Sequence, residues 1–221
     1  MIDNSGLCKK LITFTYDDNK FCHCQIVQRA KDHPEKKVGE HAIKTYFVRS
    51  AEHLEQLMPE IKLICDFYKA RAYINLSPKS FEKMQKELLI RYANNVSKNI
   101  IQNPRRVLNS VAGEMQGDPK IWLVDIDDMS MSEDIKSSLM KIYTDMFSKK
   151  GLKTALLAES LAKIQFIAEV PTVQGCHLLC SPFNLMAFSQ KFPDVMVHKN
   201  SMGTLLYMPD LSNSNKLLNN E

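Results

Sequence analysis

The sequence predicts an α+β fold with mixed or antiparallel sheets and flanking helices. Short runs rich in aromatic and β-branched residues alternate with longer stretches in which apolar residues recur at helical spacing. Some of the strand-like runs are separated only by short polar turns, which is typical of hairpins rather than of a doubly wound parallel sheet. The 221 residues are 44% hydrophobic and 24% charged, which suits one large domain or two small ones.

The composition excludes several classes of protein. A hydrophobic fraction of 44% is too high for a wholly disordered chain. No apolar run reaches the roughly 18 to 20 residues of a membrane helix, and the first residues (MIDNSGLCKKLITFTYDD) lack the basic start and apolar stretch of a signal peptide. We therefore expect a soluble intracellular protein, in the cytoplasm or a host-cell cytoplasm. The net charge of +4 permits a nucleic-acid partner without requiring one.

The first third of the chain is predicted to contain a hairpin. Residues 11–16 (LITFTY) and 21–27 (FCHCQIV) have strand-like composition and flank a polar turn. Residues 31–40 are polar and contain Pro and Gly, which predicts a loop, and residues 45–48 resume as a strand. Ser50 then occupies the N-cap position of a helix. The apolar residues at helical spacing in that helix are Leu54, Leu57, Met58, Ile61 and Ile64.

The middle of the chain is predicted to hold two strands and intervening helices. Residues 71–76 (RAYINL) are strand-like, and Ser77-Pro78 predicts an N-cap followed by proline at the first helical position. Residues 94–117 are predicted to be helical in part, with an interruption at Asn103-Pro104. Residues 120–126 (KIWLVDI) form the continuous apolar run of a buried strand.

The last part of the chain predicts a helix, a pair of strands, a short helix and a final hairpin. These elements are residues 132–150 as a helix closed by Gly151, 162–170 and 176–180 as paired strands, 184–191 as a helix, and 195–198 with 204–208 as the last strands. Residues 210–221 are polar and low in complexity, which predicts disorder. We expect an N-terminal α/β half over residues 1–117 and a second half, carrying the candidate site, over residues 118–209.

Two aspartates at the end of a predicted strand are the sharpest chemical feature. Asp125 and Asp127 lie at i and i+2, so their side chains project from the same face while Ile126 points into the core. Two close carboxylates repel, and a divalent cation such as Mg²⁺ or Mn²⁺ relieves the repulsion. The alternative, which spacing leaves equally open, is an acidic turn that caps the helix starting near Ser132.

Two later segments add candidate residues. His177 follows Gly175 at the start of an apolar strand, from which an imidazole can donate to a phosphate oxygen. A buried imidazole satisfied by a backbone carbonyl is the alternative. Asp194 precedes the strand predicted at residues 195–198, and Lys199 follows that strand.

The order of these motifs along the chain resembles the motif order of the archaeo-eukaryotic primase superfamily. That family pairs an h-h-h-D-h-D motif with a later s-x-H motif and then an h-D motif. Residues 172–179 (TVQGCHLL) are similar to the second motif, and residues 194–207 (DVMVHKNSMGTLLY) are similar to the third. The resemblance covers residues 120–207, with weaker support from residues 71–77 (RAYINLS).

The resemblance implies a primase-polymerase-like catalytic core that contains an RRM-like half. It implies a metal-dependent nucleotidyltransferase that synthesises primers, or extends nucleic acid, from nucleoside triphosphates. Carried over by position, Asp125, Asp127 and Asp194 would be the catalytic carboxylates and hold Mg²⁺ or Mn²⁺. By the same resemblance, His177 and Lys199, with the adjacent Asn200, would contact the nucleotide. The implied partners are a DNA template and helicase or other replication proteins, with no membrane.

Two alternative functions stay open at this point. A catalytically inactive nucleic-acid-binding module of the same fold would use Tyr73, on a predicted exposed strand, to stack a base. A haloacid-dehalogenase-like phosphohydrolase would use a D-x-D-x-T motif beginning at Asp125, although Met129 stands in place of the threonine. We expect the six cysteines to be structural thiols, because Cys22-His23-Cys24 lacks the second ligand pair of a zinc site.

Overall fold

The chain divides into two compact units. The computed structural model describes residues 1–33, 39, 41–149, 155–200 and 203–211. Unit 1 comprises Met1–Pro119 and Asn200–Glu221, and unit 2 comprises Lys120–Lys199. The described residues form an α+β fold with seven α-helices and two antiparallel sheets. None of the helices in these described ranges is long and apolar enough to cross a membrane.

Unit 1 contains a five-stranded sheet in the order β1-β9-β4-β2-β3. Every neighbouring pair in this sheet is antiparallel. Residues 21–24 of the central strand β2 are all buried, so both faces of the sheet are covered at that point, because successive side chains of a strand point to opposite faces. The strands are β1 (Ile2–Asp3), β2 (Lys20–Gln28), β3 (His41–Val48), β4 (Arg71–Ser80) and β9 (Thr204–Met208).

Four helices cover this sheet. They are α1 (Ser5–Leu11), α2 (Ala51–Tyr68), α3 (Phe81–Ser97) and α4 (Pro104–Glu114). The predicted cap of α2 is confirmed, because the Ser50 hydroxyl accepts a hydrogen bond of 3.0 Å from the His53 amide. The predicted interruption is also confirmed: α3 ends before Asn103, which caps α4 with Pro104 at its first position. Helices α3 and α4 pack around the buried Phe21.

The predicted first hairpin is wrong. Residues 12–15 have no regular structure, and Tyr16–Asp18 form a 3₁₀ turn. The Asp18 side chain closes this turn, because its Oδ2 accepts from the Thr15 amide at 2.6 Å and from the Thr15 hydroxyl at 3.1 Å. This local bonding removes the segment from the sheet, and β2 pairs with β3 and β4 instead. The predicted loop at residues 31–40 lies partly outside the described residues.

The predicted helix start at Ser77-Pro78 is also wrong. Strand β4 continues through both residues to Ser80, because its pairing with β2 extends as far as Lys20 opposite Ser80. Ser80 is the residue that caps α3, accepting from the Lys83 amide at 3.3 Å. Proline has no backbone N–H to donate. Pro78 fits this position because its carbonyl accepts a hydrogen bond of 2.7 Å from the Asp118 amide.

Unit 2 contains a four-stranded antiparallel sheet in the order β6-β7-β5-β8. Along the chain, one strand is followed by two helices, two strands, a helix and a last strand. In the sheet, the first and third of these strands are central. Helices α5 and α7 cover one face through a core that includes Val124, Ile126 and Leu178. The elements are β5 (Trp122–Ile126), α5 (Ser132–Lys149), α6 (Ala155–Ile164), β6 (Phe166–Pro171), β7 (Cys176–Cys180), α7 (Leu185–Lys191) and β8 (Met196–His198).

Two predicted elements of the last part of the chain need correction. Residues 162–164 end α6 rather than beginning a strand. The final hairpin is absent from the described residues, because β8 pairs with β5 in unit 2 whereas β9 lies between β1 and β4 in unit 1. The second half predicted at residues 118–209 therefore differs from unit 2, which ends at Lys199. Gly151 and residues 212–221, including most of the predicted disordered tail, lie outside the described residues.

All six cysteines are buried with free thiols. Burial raises the pKa of Cys8 to about 12 and that of Cys176 to about 11. Such thiols remain protonated near neutral pH and pack as small apolar side chains. The predicted structural role agrees with this placement.

A buried lysine closes the C-terminal end of α4. Lys79 is 1% exposed, and its Nζ donates to the carbonyls of Ala112 at 2.6 Å and Gly113 at 3.3 Å. A cation at this end of a helix satisfies carbonyls that lack an intrahelical partner. Burial opposes the charge and lowers the pKa of Lys79 to about 8.

We expect Lys79 to make stability depend on alkaline pH. The unfolded chain holds the lysine proton up to about pH 10.4, whereas the folded chain releases it near pH 8. Between these values the unfolded state binds more protons at Lys79, so the contribution of this residue to the free energy of unfolding rises with pH, by about 1.4 kcal/mol per pH unit at most. The six buried thiols ionise in this range only when the chain unfolds, and they lower the stability of wild type and variant alike. The Lys79 contribution is therefore measured as the difference in urea unfolding free energy between the wild type and Lys79→Met, which should grow in favour of the wild type from pH 7 to pH 9.5. The exposed Lys86→Met is the control, and equal pH dependence in both variants would contradict the assignment.

Candidate functional site

Asp125 and His177 face each other across the two central strands of unit 2. The antiparallel register of β5 and β7 pairs these two residues directly. Their neighbours Val124, Ile126 and Leu178 point into the helix-covered core, so the alternation of a strand directs both polar side chains to the opposite face. The pairing of β5 with β7 thus brings two of the candidate site residues together.

The two side chains meet at ion-pair distance. His177 Nε2 lies 3.4 Å from Asp125 Oδ1. This is longer than a charge-assisted hydrogen bond of about 2.7 to 2.9 Å, so the contact orients the imidazole without fully engaging the carboxylate. Asp125 Oδ2 has no hydrogen bond to any side chain within the described ranges. The carboxylate therefore keeps one oxygen for a further ligand.

The imidazole is more buried than the sequence predicted. The prediction placed His177 at an exposed site, whereas the residue is 4% exposed. Val170, the register partner of His177 on β6, is fully buried. The ring thus lies between an apolar neighbour and Asp125, which retains 23% exposure of its side chain. The burial of His177 agrees with the second alternative that the sequence left open, and the ring in addition faces the Asp125 carboxylate.

Gly175 brings the turn between β6 and β7 against the end of β5. A Cβ atom at this position would lie 1.8 Å from the Ile126 carbonyl oxygen, so no other residue fits without moving the backbone. The turn is closed by Thr172, whose hydroxyl accepts from the Gly175 amide at 3.1 Å and whose amide donates to the Gly175 carbonyl at 2.9 Å. This contact holds the start of β7 beside the chain that leads into Asp127.

The three neighbouring aspartates have different environments. Asp127 lies one residue beyond β5 and is exposed, and it has no hydrogen bond or ion pair to another described residue. Asp128 instead caps the 3₁₀ turn Met129–Met131, accepting from the Ser130 amide at 2.9 Å. Hydrogen bonds from Ser130 lower the pKa of Asp128 below its usual value. The capping role that the sequence left open thus belongs to Asp128, and Asp127 remains available.

Asp194 lies at the same end of the sheet as Asp127. It is exposed, in the turn before β8, and Met196 two residues later is the register partner of Asp125. Because β5 and β8 are antiparallel, residues beyond the end of β5 and before the start of β8 share one edge. Within the described part of the chain, however, no group of three or more His, Cys, Asp or Glu side chains is close enough to hold a metal ion.

The donor set nevertheless suits a hard cation. Mg²⁺ is commonly bound by one or two carboxylates together with substrate phosphates and waters, rather than by a complete protein cage. Asp127 has both carboxylate oxygens available and Asp125 has one. A pair of this kind fits a magnesium or manganese ion that arrives with a phosphorylated substrate.

The other sequence-predicted residues lie elsewhere. Lys199 Nζ lies 5.3 Å from the centre of the Trp122 ring, which packs on the helix-covered face and not on the face of Asp125 and His177. Asn200 belongs to unit 1, where its amide donates to the Glu114 carbonyl at 2.8 Å. The structure therefore gives neither residue a contact with the Asp125–His177 pair.

In unit 1, Tyr73 and two arginines of α4 differ from what the sequence predicted. Tyr73 was predicted to stack a base from an exposed strand, but it is only 9% exposed, and its hydroxyl accepts from Arg29 at 3.2 Å. Arg105 and Arg106 are exposed at the start of α4 and were not among the residues singled out from the sequence. The signal that could have revealed them is the absence of Asp and Glu from residues 88–113.

Comparisons with protein-family models, with curated proteins and with solved structures found no match to this chain.

We expect Gly175→Ala to disrupt the site through the backbone. The added Cβ would overlap the Ile126 carbonyl, and a backbone atom cannot rotate away as a side chain can. The variant should lose about 1 to 3 kcal/mol of unfolding free energy, the range found for overpacked cores, measured by urea denaturation. Gly6→Ala is the matched control, because nothing lies within 4 Å of a Cβ there. Equal stability of the two variants would contradict the close approach.

We expect His177→Ala to lower stability as well as any activity. The substitution leaves a cavity beside Val170 and removes the group that faces Asp125. The expected loss is about 1 to 3 kcal/mol of unfolding free energy. His198→Ala, on the short strand β8, is the control because His198 is only partly buried. A His177→Ala protein as stable as the wild type would show that the imidazole is not packed as described.

Proposed function

We propose that this protein is a metal-dependent nucleotidyltransferase that synthesises primers or extends nucleic acid from nucleoside triphosphates. The observation that carries the proposal is the placement of Asp125 opposite His177 on the two central strands of unit 2. An available carboxylate, Asp127, follows at the end of the same strand. These residues occur along the chain in the order of the primase motifs, and the strands that carry Asp125 and His177 pair directly.

The topology of unit 2 supports the same proposal. Its strand and helix order is the β-α-β-β-α-β order of ferredoxin-like folds, with a second helix in the first connection. The sheet order β6-β7-β5-β8 places the first and third strands in the centre. RNA-recognition folds likewise use a four-stranded sheet to present their functional side chains. We propose on this basis that unit 2 is the RRM-like half of a primase-polymerase-like core.

Each candidate residue has a role that its surroundings allow. Asp125 and Asp127 would hold Mg²⁺ or Mn²⁺, and Asp194 lies at the same edge of the sheet to complete the set when substrate binds. When bound, the metal ion would neutralise the charge of the triphosphate and activate the attacking hydroxyl. His177 is oriented by Asp125 and would donate a hydrogen bond to a phosphate oxygen. The chain's own contribution is then mainly the positioning of reactants.

A catalytically inactive nucleic-acid-binding module is the second candidate. The observation in its favour is that the described residues contain no assembled group of three metal-binding side chains. Such a module would bind nucleic acid but would gain no stability from Mn²⁺. Clustered carboxylates are unfavourable for binding phosphate without a metal, which favours the enzyme.

We expect Asp127→Asn to abolish nucleotidyl transfer and Asp128→Asn to retain it. The two aspartates are adjacent, and the substitutions change charge equally, but Asp128 is engaged in capping Ser130 whereas Asp127 is available. The assay is de novo priming and primer extension on a DNA template with labelled nucleotides and Mg²⁺ or Mn²⁺. Asp127→Asn should lower the rate by about 10²-fold or more, and Asp128→Asn should remain within severalfold of the wild type.

A thermal shift with Mn²⁺ separates the two candidate functions. Binding to the folded state raises its stability, so the wild type should shift upward and the Asp125→Asn, Asp127→Asn double variant should not. Full activity of Asp127→Asn would exclude the metal assignment. A wild type with no product in either metal and no Mn²⁺-dependent shift would support the inactive module.

A further inference from the structure

A cleft between α3 and α4 of unit 1 has no role in the proposed chemistry. It has a volume of about 790 Å³, and an adjoining cavity of about 640 Å³ shares several of its lining residues. The lining is rich in side chains that donate hydrogen bonds to anions. These side chains include Arg91, Asn94, Asn95, Gln102, Asn103 and Arg106.

Two arginines beside this cleft carry positive charge that no described carboxylate compensates. Residues 88–113 contain four basic residues and no Asp or Glu. Arg105 and Arg106 are exposed and have no carboxylate partner in the part of the chain that the structure describes. Glu87 lines the cleft as well. Arg91 is engaged by Glu114 in a two-pronged contact at 2.6 and 3.2 Å, so Arg105 and Arg106 carry the excess positive charge. Arg91 thereby lowers the pKa of Glu114 to about 2.

The fold itself gives no reason for arginines at this place. Helix α4 has no acidic residue in its first turn, and Arg105 and Arg106 stand there instead. Cations near the start of a helix are repelled by its positive end. The loss of stability caused by Arg105 and Arg106 is offset when an anion occupies the neighbouring cleft. A polyanionic ligand is therefore the simplest explanation for arginines at this position.

Exposed aliphatic side chains favour a single strand over a duplex. Ile90 is 55% exposed and Ile101 is fully exposed, and both line the same cleft. A duplex presents phosphates with its bases stacked inside, whereas a single strand presents unpaired bases that pack on apolar surface while its phosphates contact arginine. The combination of arginine, amide and isoleucine matches the single strand.

The net charge is confined to the unit that contains this cleft. Residues 120–199 carry nine Lys, no Arg and nine Asp or Glu, so the whole excess of +4 comes from residues of unit 1. All six arginines lie there too. This excess places the charge that permits a nucleic-acid partner on the unit that contains the cleft.

We propose that the α3–α4 cleft of unit 1 binds single-stranded nucleic acid through Arg105 and Arg106. Binding requires no metal ion and no nucleotide, so it stands whether or not Asp125 and Asp127 are catalytic. The phosphates contact the two guanidinium groups, and the amide side chains of Asn103 and Gln102 donate to phosphate and base oxygens.

The test is fluorescence anisotropy of a labelled 12-mer of thymidylate with the full chain, without metal or nucleotide. Arg105→Gln/Arg106→Gln should weaken binding about tenfold or more and make the slope of log affinity against log salt shallower by about 1.4, or 0.7 per phosphate contact. Both residues are exposed, so the fold should be retained. The matched control is Lys9→Gln/Lys10→Gln, which removes two adjacent charges from α1, a helix packed against α2.

Each other outcome decides against the proposal. Equal loss of affinity in the two double variants would show attraction to net charge alone. A tighter complex with the matching duplex would exclude the single strand, and displacement of the 12-mer by polyglutamate at equal charge concentration would assign the cleft to an acidic protein. Asp125→Asn should bind the 12-mer as the wild type does, so a failure of the enzyme proposal leaves this result unaffected.

Discussion

The antiparallel pairing of β5 with β7 is the constraint on which the candidate site depends. It places Asp125 opposite His177 and directs both side chains away from the core formed by Val124 and Leu178. The pairing can reach the end of β5 only because Gly175 has no side chain to meet the Ile126 carbonyl. A shift of one residue would turn every side chain of β7 to the other face and separate the pair.

The two units differ in the chemistry that they offer. Unit 2 has balanced charge, and Asp125, Asp127 and Asp194 lie near the end of β5 and the start of β8. Unit 1 carries the excess positive charge and presents exposed arginines beside a polar cleft. Carboxylates repel phosphate unless a cation intervenes, whereas arginines bind it directly. The chain thus separates groups suited to a metal ion from groups suited to a polyanion.

The sequence predicted those features that depend on residues close together in the chain. The cap at Ser50, the helix start at Asn103-Pro104 and the buried strand that ends in Ile126 are each set by side chains within a few positions. That the side chains of Asp125 and Ile126 point to opposite faces of β5 follows from period-two geometry alone. The adjacency of the strands bearing Asp125 and His177 comes from the strand pairing itself, because the two residues are about fifty positions apart in the chain.

By itself, the sequence determined the α+β class, most helices and the identity of the clustered aspartates, because periodicity and capping are local. Only the tertiary structure decided which strands pair, since those hydrogen bonds join distant segments: β9 inserts between β1 and β4, about two hundred residues from β1. It also decided the burial of His177 and assigned the capping role to Asp128 rather than Asp127. Adjacent aspartates look alike in a sequence, and their roles separate only when the fold determines which backbone amides each can reach.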